Sequence, residues 1–142
     1  MRLFMRMLKI VLTTVMMFVA FGNARAADAA PPLTADHTHF LMAYESVRAA
    51  LASDDLAASK SAALALPRSE SATLLTKADS LNMARVAFKK LSAEAESLVR
   101  GRKGYFLMHC PMVDADWVQS SRTVSNPYLG KKMATCGHVI EQ

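Results

Sequence analysis

The stretch from residue 69 to residue 99 most constrains the fold, because it contains no Pro and no Gly. Apolar residues recur in it at helical spacing and form one long seam of Leu74, Ala78, Leu81, Phe88, Leu91, Ala95 and Leu98. A single helix of this length is unusual in a small domain, and Asp79 or Ser80 is a suitable N-cap for a new helix. We therefore predict a short helix followed by a longer one that begins near Leu81.

Two further helices are predicted upstream of this stretch. The first runs from about Asp36 to Ala52, where one helical face carries Phe40, Tyr44, Val47 and Leu51. The second is rich in Ala and runs from about Asp55 to Leu66, and Pro67 ends it. Amphipathic helices joined by short links bury their apolar faces on one another. The predicted fold class is therefore mainly α, a small antiparallel bundle of three to four helices.

The first residues have the character of a targeting segment. Arg2, Arg6 and Lys9 precede an apolar run over residues 10–21, and a small-x-small pattern follows at residues 24–26. The apolar run is shorter than the roughly 20 residues of a membrane span. We predict a signal peptide at residues 1–26 and a periplasmic mature protein, with an uncleaved anchor as the alternative.

Removal of the signal peptide changes the charge balance. Of 17 basic residues four lie in residues 1–26, whereas none of the 12 acidic residues does, so the mature chain has a net charge of +1. This balance gives no evidence for nucleic acid or a membrane surface as a partner, so we expect no nucleic-acid partner and no stable membrane span after cleavage. Residues 27–35 are predicted to be a flexible arm, and residues 36–142 a single helical domain.

The character of the chain changes after Gly104. Residues 105–110 and, more weakly, residues 136–140 are strand-like, and the chain between them has turn signals at Asn126-Pro127 and Gly130. We expect an irregular C-terminal segment over residues 105–140 that carries short strand-like pieces. Pairing of the two pieces brings Cys110 close to Cys136.

This segment also concentrates the side chains that soft metal ions prefer. Thiols, thioethers and imidazoles lie at Cys110, Cys136, Met112, Met133, His138 and His109. Residues two apart in an extended segment point to the same side, so Cys136 and His138 are better placed together than adjacent His109 and Cys110. Two thiolates with thioether and imidazole suit Cu(I), whereas two Cys with two His suit Zn(II).

A disulfide is the alternative to a metal site. The two cysteines allow only the pairing Cys110–Cys136, and in the chain-entropy model this bond stabilises the domain by roughly 3–3.5 kcal/mol. In that case Met112 and Met133 are core residues. Trp117 is expected to be core as well, and residues 126–130 to form a structural turn. No catalytic constellation is recognisable, so we do not predict an enzyme.

The motif residues also carry a resemblance to a known family. The elements that carry it are Cys110-Pro111-Met112, Trp117, Asn126-Pro127-Tyr128-Leu129-Gly130-Lys131-Lys132-Met133 and Cys136-Gly137. Together they resemble a bacterial envelope family of domains of unknown function, which occur alone or at the C-terminus of CusB-like heavy-metal efflux adaptor proteins. Upstream, Arg85, Phe88, Leu91-Ser92 and Leu98 look like the helical segment of that family, so the resemblance spans about residues 36–142.

The resemblance implies a small helical fold and a role in handling copper, silver or related metals. It places the family's metal-binding or structural motif on Cys110, Met112, Met133 and Cys136, and the intervening loop on Trp117, Asn126, Pro127, Tyr128 and Gly130. Heavy-metal efflux or copper-handling envelope proteins are then the expected partners. This chain departs from the family in a short loop between Met112 and Trp117 and in Leu129, where a second aromatic residue is common.

Overall fold

Four α-helices and a small three-stranded antiparallel sheet make up the part of the chain that the structure, a computed structural model, describes, residues 30–142. The helices are α1 (Ala35–Ala52), α2 (Leu56–Ala63), α3 (Glu70–Thr76) and α4 (Leu81–Val99). The strands are β1 (Phe106–Cys110), β2 (Ala115–Gln119) and β3 (His138–Glu141), and a 3-10 helix lies at Gly130–Met133. The predicted signal peptide at residues 1–26 lies outside the described residues.

Each helix begins where a short polar side chain caps its first turn. The side chains of Thr34, Asp55, Ser69 and Ser80 accept hydrogen bonds from the amides three residues further on. Such caps satisfy amides that have no partner inside the helix. The predicted break before Leu81 is confirmed, because Ser80 caps α4.

The fold class is confirmed in its broad form, a mainly helical domain with short strands, while the antiparallel arrangement of the helices stays a prediction. The predicted seam is partly wrong at its edges, since Leu74 is 43% exposed and Leu75 takes its place in the core. Leu81 and Leu98 are only half-buried. The helix is interrupted between α3 and α4, so one periodicity does not extend across residues 69–99.

The sheet is more regular than predicted. It has the order β2-β1-β3, and β1 pairs antiparallel with both neighbours. The pairing of the two predicted strand-like pieces is confirmed, but the expectation that the chain between them is irregular is wrong at residues 115–119, which form β2. Strand β2 shows no alternation of buried and exposed residues, because Trp117, Val118 and Gln119 are all buried. Its sequence therefore lacks the period of two by which a half-exposed strand is recognised.

A buried chain of hydrogen bonds joins the helices to the outer edge of β2. The amide of Val118 donates to Tyr44 Oη (3.0 Å), and the hydroxyl of Tyr128 donates to the carbonyl of Asp116 (2.7 Å). Ser92 Oγ on α4 lies 3.0 Å from Tyr44 Oη and 3.1 Å from Tyr128 Oη. The edge strand thus has two outward-facing backbone groups satisfied by tyrosines, which prevents pairing with another strand there.

Which group donates in each of these hydrogen bonds follows from the number of hydroxyl protons. Tyr128 has one hydroxyl proton, and the carbonyl of Asp116 can only accept, so Ser92 donates to Tyr128. Tyr44 then donates to Ser92 while it accepts from the amide of Val118. Burial raises the pKa of both tyrosines far above the usual value, so both stay protonated and the chain persists at any ordinary pH.

We predict that Tyr44→Phe lowers the free energy of unfolding by about 1–3 kcal/mol, because it leaves the buried amide of Val118 without an acceptor. Tyr105→Phe is the matched control, since Tyr105 is half-buried and takes no part in this chain. We expect its effect to stay within about 0.5 kcal/mol. Urea unfolding followed by the fluorescence of Trp117 measures both, and equal effects of the two substitutions would contradict the role of the chain.

No helix within residues 30–142 is long and apolar enough to cross a membrane. The last residues of the predicted arm are held to the domain at two points. Arg102 donates to the carbonyl of Pro31, and Leu33 packs against the core.

Candidate functional site

The two cysteines converge at one end of the sheet. Cys110 is the last residue of β1 and is fully buried, whereas Cys136 lies just before β3 and is half-buried. Their sulfur atoms are 2.9 Å apart, and both are free thiols. The convergence that the sequence predicts is therefore present, and it leaves both chemical outcomes open, ligation of one metal ion or oxidation to a disulfide.

Asn126 holds the segment that carries Cys136. Its Nδ2 donates to the carbonyl of Cys136 (2.7 Å), and its backbone amide donates to the carbonyl of Ala134 (2.9 Å). Its Oδ1 accepts from the amides of Tyr128 (2.8 Å) and Leu129 (3.1 Å). The structural turn predicted at residues 126–130 is confirmed, and the fully buried amide of Asn126 also positions a thiol ten residues away.

Charged side chains of the helices hold the turn around Asn126 from outside. Arg48 on α1 donates to the carbonyl of Ser125 (2.8 Å), and Arg85 on α4 donates to the carbonyl of Pro127 (2.9 Å). Each guanidinium is itself fixed by a carboxylate, since Arg48 pairs with Glu45 at 2.7 Å and Arg85 pairs with an aspartate at 2.6 Å. The turn is therefore attached to two helices through charge-assisted hydrogen bonds.

That aspartate, Asp54, also explains why residue 130 is Gly. Its Oδ2 accepts from the amide of Lys131 (2.9 Å), and a Cβ on Gly130 would lie 1.9 Å from its Oδ1. Gly130 has φ +57°, as its predicted place in a turn requires. Hydrogen bonds from Arg85 and from Lys131 hold the pKa of Asp54 below its usual value, so its charge persists at neutral pH.

The two thiols are electrostatically unequal. Burial raises the pKa of Cys110, but hydrogen bonds to its sulfur from Cys136, the amides of Met112 and Val113, and Asn126 together outweigh burial and lower the pKa below the usual 9.0. The hydrogen bond to Cys110, with burial, raises the pKa of Cys136. Cys110 is therefore the first thiolate to form, and Cys136 is the thiol that donates to it.

The two methionines lie beside the thiols along the chain and are exposed. The backbone amide of Met112 lowers the pKa of both thiols, and the carbonyl of Met133 accepts from the amide of Cys136 (3.0 Å). Met112 is 62% exposed and Met133 is 36% exposed, so the alternative prediction that they are core residues is wrong. Exposed, flexible thioethers next to a thiol pair are suited to reach a metal ion.

The imidazoles are paired with each other on another face of the sheet. His138 lies directly opposite His109 in the pairing of β3 with β1, and their ring centroids are 5.7 Å apart. His109 Nδ1 is 2.7 Å from Asp116 Oδ1 on β2. The sequence placed His138 with Cys136, but the structure sets its ring against His109. Adjacent residues of a strand face opposite ways, so His109 points away from Cys110.

The side chain of Trp117 packs against the segment that carries Cys136. Its side chain is fully buried, as predicted, and its Nε1 donates to Gln119 Oε1 (2.8 Å). A Cβ on Gly137 would lie 2.7 Å from Trp117 Cη2 and 2.9 Å from the carbonyl of His109. Gly137, with φ +135°, therefore allows the chain to pass close over the indole and brings Cys136 to Cys110.

The thiol pair reaches solvent through half-buried Cys136, whereas Cys110 is buried. An open, mostly apolar groove of about 290 Å³ lies elsewhere, between α1 and β2, and its lining includes Leu41, Met42, Tyr105 and Val118. Within residues 30–142, no three side chains of His, Cys, Asp or Glu are grouped so as to hold a metal ion. A metal ion at the thiol pair thus requires the thioethers or an external ligand to complete its coordination.

Comparisons with protein-family models, with curated proteins and with solved structures found no match for this chain. The resemblance to the envelope family therefore rests on the motif residues named above and stays a prediction. The arrangement of these residues in space is what supports any function.

Sequence reasoning did not predict the hydrogen bonds that Tyr44, Ser92 and Asp116 make around the site. The contact of Asp116 could have been predicted from the sequence, because a tight turn after Cys110 sets residue 109 opposite residue 116. Recognition of the hairpin would have paired His109 with Asp116. Tyr44 and Ser92 carried no such signal, since their spacing is that of ordinary helix positions.

We predict that the two thiols titrate in separate steps, one below and one above the usual pKa of about 9. Ultraviolet absorbance of the thiolate measures both steps. Cys136→Ala should raise the pKa of Cys110, because it removes a hydrogen-bond donor to that sulfur. Cys110→Ala should lower the pKa of Cys136 towards the usual value. If both thiols titrate together and neither substitution shifts the pKa of the remaining thiol, the assignment of Cys136 as donor to Cys110 is wrong.

We predict that Gly137→Ala lowers the free energy of unfolding by about 2–5 kcal/mol, as a positive φ and a collision with Trp117 act together. Gly101→Ala is the matched control, because Gly101 also has a positive φ but no atom lies within 4 Å of the position that its new Cβ would take. It should cost only about 1–2 kcal/mol, from the backbone alone. Chemical unfolding measures the difference, and equal costs would mean that the close approach to Trp117 is unimportant.

Proposed function

We propose that this protein is an exported, single-domain, soft-metal-binding protein that binds one Cu(I) ion at Cys110 and Cys136, for metal tolerance or delivery in the periplasm. One observation carries the proposal, the convergence of two thiols at 2.9 Å with the pKa of Cys110 held below its usual value. A thiolate is the ligand form of Cys, so a lowered pKa favours metal binding at neutral pH.

The donor set favours a soft monovalent ion. Structural Zn(II) takes four ligands from Cys, His, Asp and Glu, whereas thiolates and thioethers select Cu(I). The two imidazoles next to the cysteines in sequence are paired with each other, which leaves the thioethers of Met112 and Met133, also close to the cysteines in sequence, as further donors. Ag(I) shares the preference of Cu(I) for sulfur and is the second ion that we expect to bind. Zn(II) is the less favoured third.

Metal binding requires the two sulfurs to separate. Two thiolates at about 2.3 Å from one tetrahedral ion lie about 3.8 Å apart, which exceeds the 2.9 Å of the thiol pair. Cys110 is fixed in β1, whereas Cys136 lies outside the strands and is half-buried, so we expect Cys136 to move. Its segment is held mainly by hydrogen bonds to Asn126 and Met133.

The exposure of the thioethers suits a protein that passes its metal on. A metal ion is transferred between proteins by exchange of ligands, and thioethers dissociate more readily than thiolates. Met112 and Met133 are exposed, so a partner's ligands can replace them first. Heavy-metal efflux or copper-handling envelope proteins are the partners that we propose, in accordance with the resemblance of the motif.

A disulfide-stapled interaction module that binds no metal is the second candidate function. The short distance between the sulfurs favours it, because oxidation needs only a small further approach of Cys136 to Cys110. Export to an oxidising compartment would also favour the bond. The same two sulfurs cannot form a disulfide and bind a metal ion as thiolates, so the two functions exclude each other in any one molecule.

We predict that the reduced protein takes up one Cu(I) per chain in an anaerobic titration against a chromophoric copper chelator. Cys110→Ser and Cys136→Ser should each abolish this uptake, and Met112→Leu or Met133→Leu should weaken it about tenfold, or ~1.4 kcal/mol. Met83→Leu is the matched control, because Met83 is similarly exposed, at 50%, but lies on α4. It should bind as the unchanged protein does.

Two results would count against this proposal. Equal uptake by the protein and by both Cys→Ser variants would remove the metal from the thiol pair. Recovery from the periplasm of a quantitative Cys110–Cys136 disulfide that resists mild reductant would favour the stapled module instead. Mass spectrometry with and without thiol alkylation separates the second result from free thiols with bound copper.

A further inference from the structure

One face of the sheet carries a row of three polar side chains, one from each strand. Asp116 on β2 lies opposite His109 on β1, and His109 lies opposite His138 on β3. The three side chains are half-buried or exposed, while the neighbours of His109 in β1, Met108 and Cys110, are fully buried. The row is therefore accessible to solvent, and it lies on the face of the sheet opposite to that of Cys110.

The carboxylate orients the imidazole of His109. Asp116 Oδ1 is 2.7 Å from His109 Nδ1, so in the neutral ring the proton lies on Nδ1 and is donated to the carboxylate. The lone pair of His109 is then on Nε2, which is the nitrogen that remains for a ligand. A carboxylate that accepts from the far nitrogen of a histidine is the usual outer partner of a metal-binding imidazole.

The spacing of the two rings matches that of two imidazoles on one metal ion. With a metal–nitrogen distance of about 2.0–2.1 Å, each ring centroid lies about 3.2 Å from the ion, so two rings at a tetrahedral angle are about 5.2 Å apart. At a linear arrangement the distance is about 6.4 Å. The observed 5.7 Å lies between these limits, and the planes are inclined by 72°.

We propose that His109 and His138 form a second metal site, on the opposite face of the sheet from the thiol pair, which binds a borderline divalent ion such as Cu(II) or Zn(II). Asp116 acts as a positioning residue through His109 and does not touch the ion. Imidazole prefers such ions, whereas the thiol pair prefers Cu(I), so the two faces bind different oxidation states of copper. The remaining positions of the ion are left for water or for a ligand from outside.

This site differs from the thiol pair in the residues and in the oxidation state that it needs. Disulfide formation consumes Cys110 and Cys136 but leaves both imidazoles unchanged. The proposal can therefore be tested on the oxidised protein, in which the thiol pair is unable to bind metal. Its success or failure is independent of the Cu(I) proposal.

We expect the oxidised protein, its loss of free thiols confirmed by titration, to bind one equivalent of Cu(II) with an electron paramagnetic resonance spectrum that shows coupling to two imidazole nitrogens. Competition with glycine measures the affinity. His109→Asn and His138→Asn should each weaken binding at least about tenfold and remove one coupled nitrogen. Asp116→Asn should weaken it about 10–100-fold and keep both nitrogens, as expected of an outer partner.

The double variant His37→Asn/His39→Asn is the matched control, because these two histidines lie near the start of α1. It should keep the affinity and the spectrum. The proposal is overturned if His109→Asn and His138→Asn bind Cu(II) as the unchanged protein does, or if the control variant loses the signal. Circular dichroism verifies that each variant is folded, and exposed His138 can be replaced with little effect on the core.

Discussion

The buried chain of hydrogen bonds from Val118 through Tyr44, Ser92 and Tyr128 to Asp116 is the interaction on which the rest of the structure depends. It joins the helices to the outer edge of the sheet, and its three hydroxyl groups belong to buried side chains and are all hydrogen-bonded. A buried network of this kind rigidifies what it connects, because leaving any one member unpaired is costly. It therefore fixes the position of β2 against α4, and β2 in turn sets the register of β1.

Both candidate metal sites depend on that register. Strand β1 ends at Cys110, and its preceding residue, His109, faces the other way, so one strand supplies a thiol to one face and an imidazole to the other. The second side chain of each site, Cys136 or His138, comes from the segment that leads into β3. The buried amide of Asn126 holds that chain, and guanidinium groups of the helices hold the turn around Asn126. The helical layer thereby controls the geometry of side chains that it does not touch.

The proximity of the two thiols makes oxidation state the central variable of the site. A metal ion requires the sulfurs to move apart, and a disulfide requires them to move together, from a starting distance of 2.9 Å. Lowering of the pKa of Cys110 assists both reactions, since a thiolate is at once the ligand and the nucleophile in disulfide exchange. The imidazole pair is unaffected by this choice, which separates its chemistry from that of the sulfurs.

Local patterns in the sequence were enough to determine the helices, the break before Leu81 and the turn at Asn126, because caps, apolar periodicity and turn residues act over a few positions. They also determined that Cys110 and Cys136 would meet. Only the tertiary structure decided that β2 exists, since four of its five residues are buried and the strand shows no alternation. It alone decided that His138 pairs with His109, because a β-sheet register depends on which strands are neighbours and not on the distance between residues along the chain.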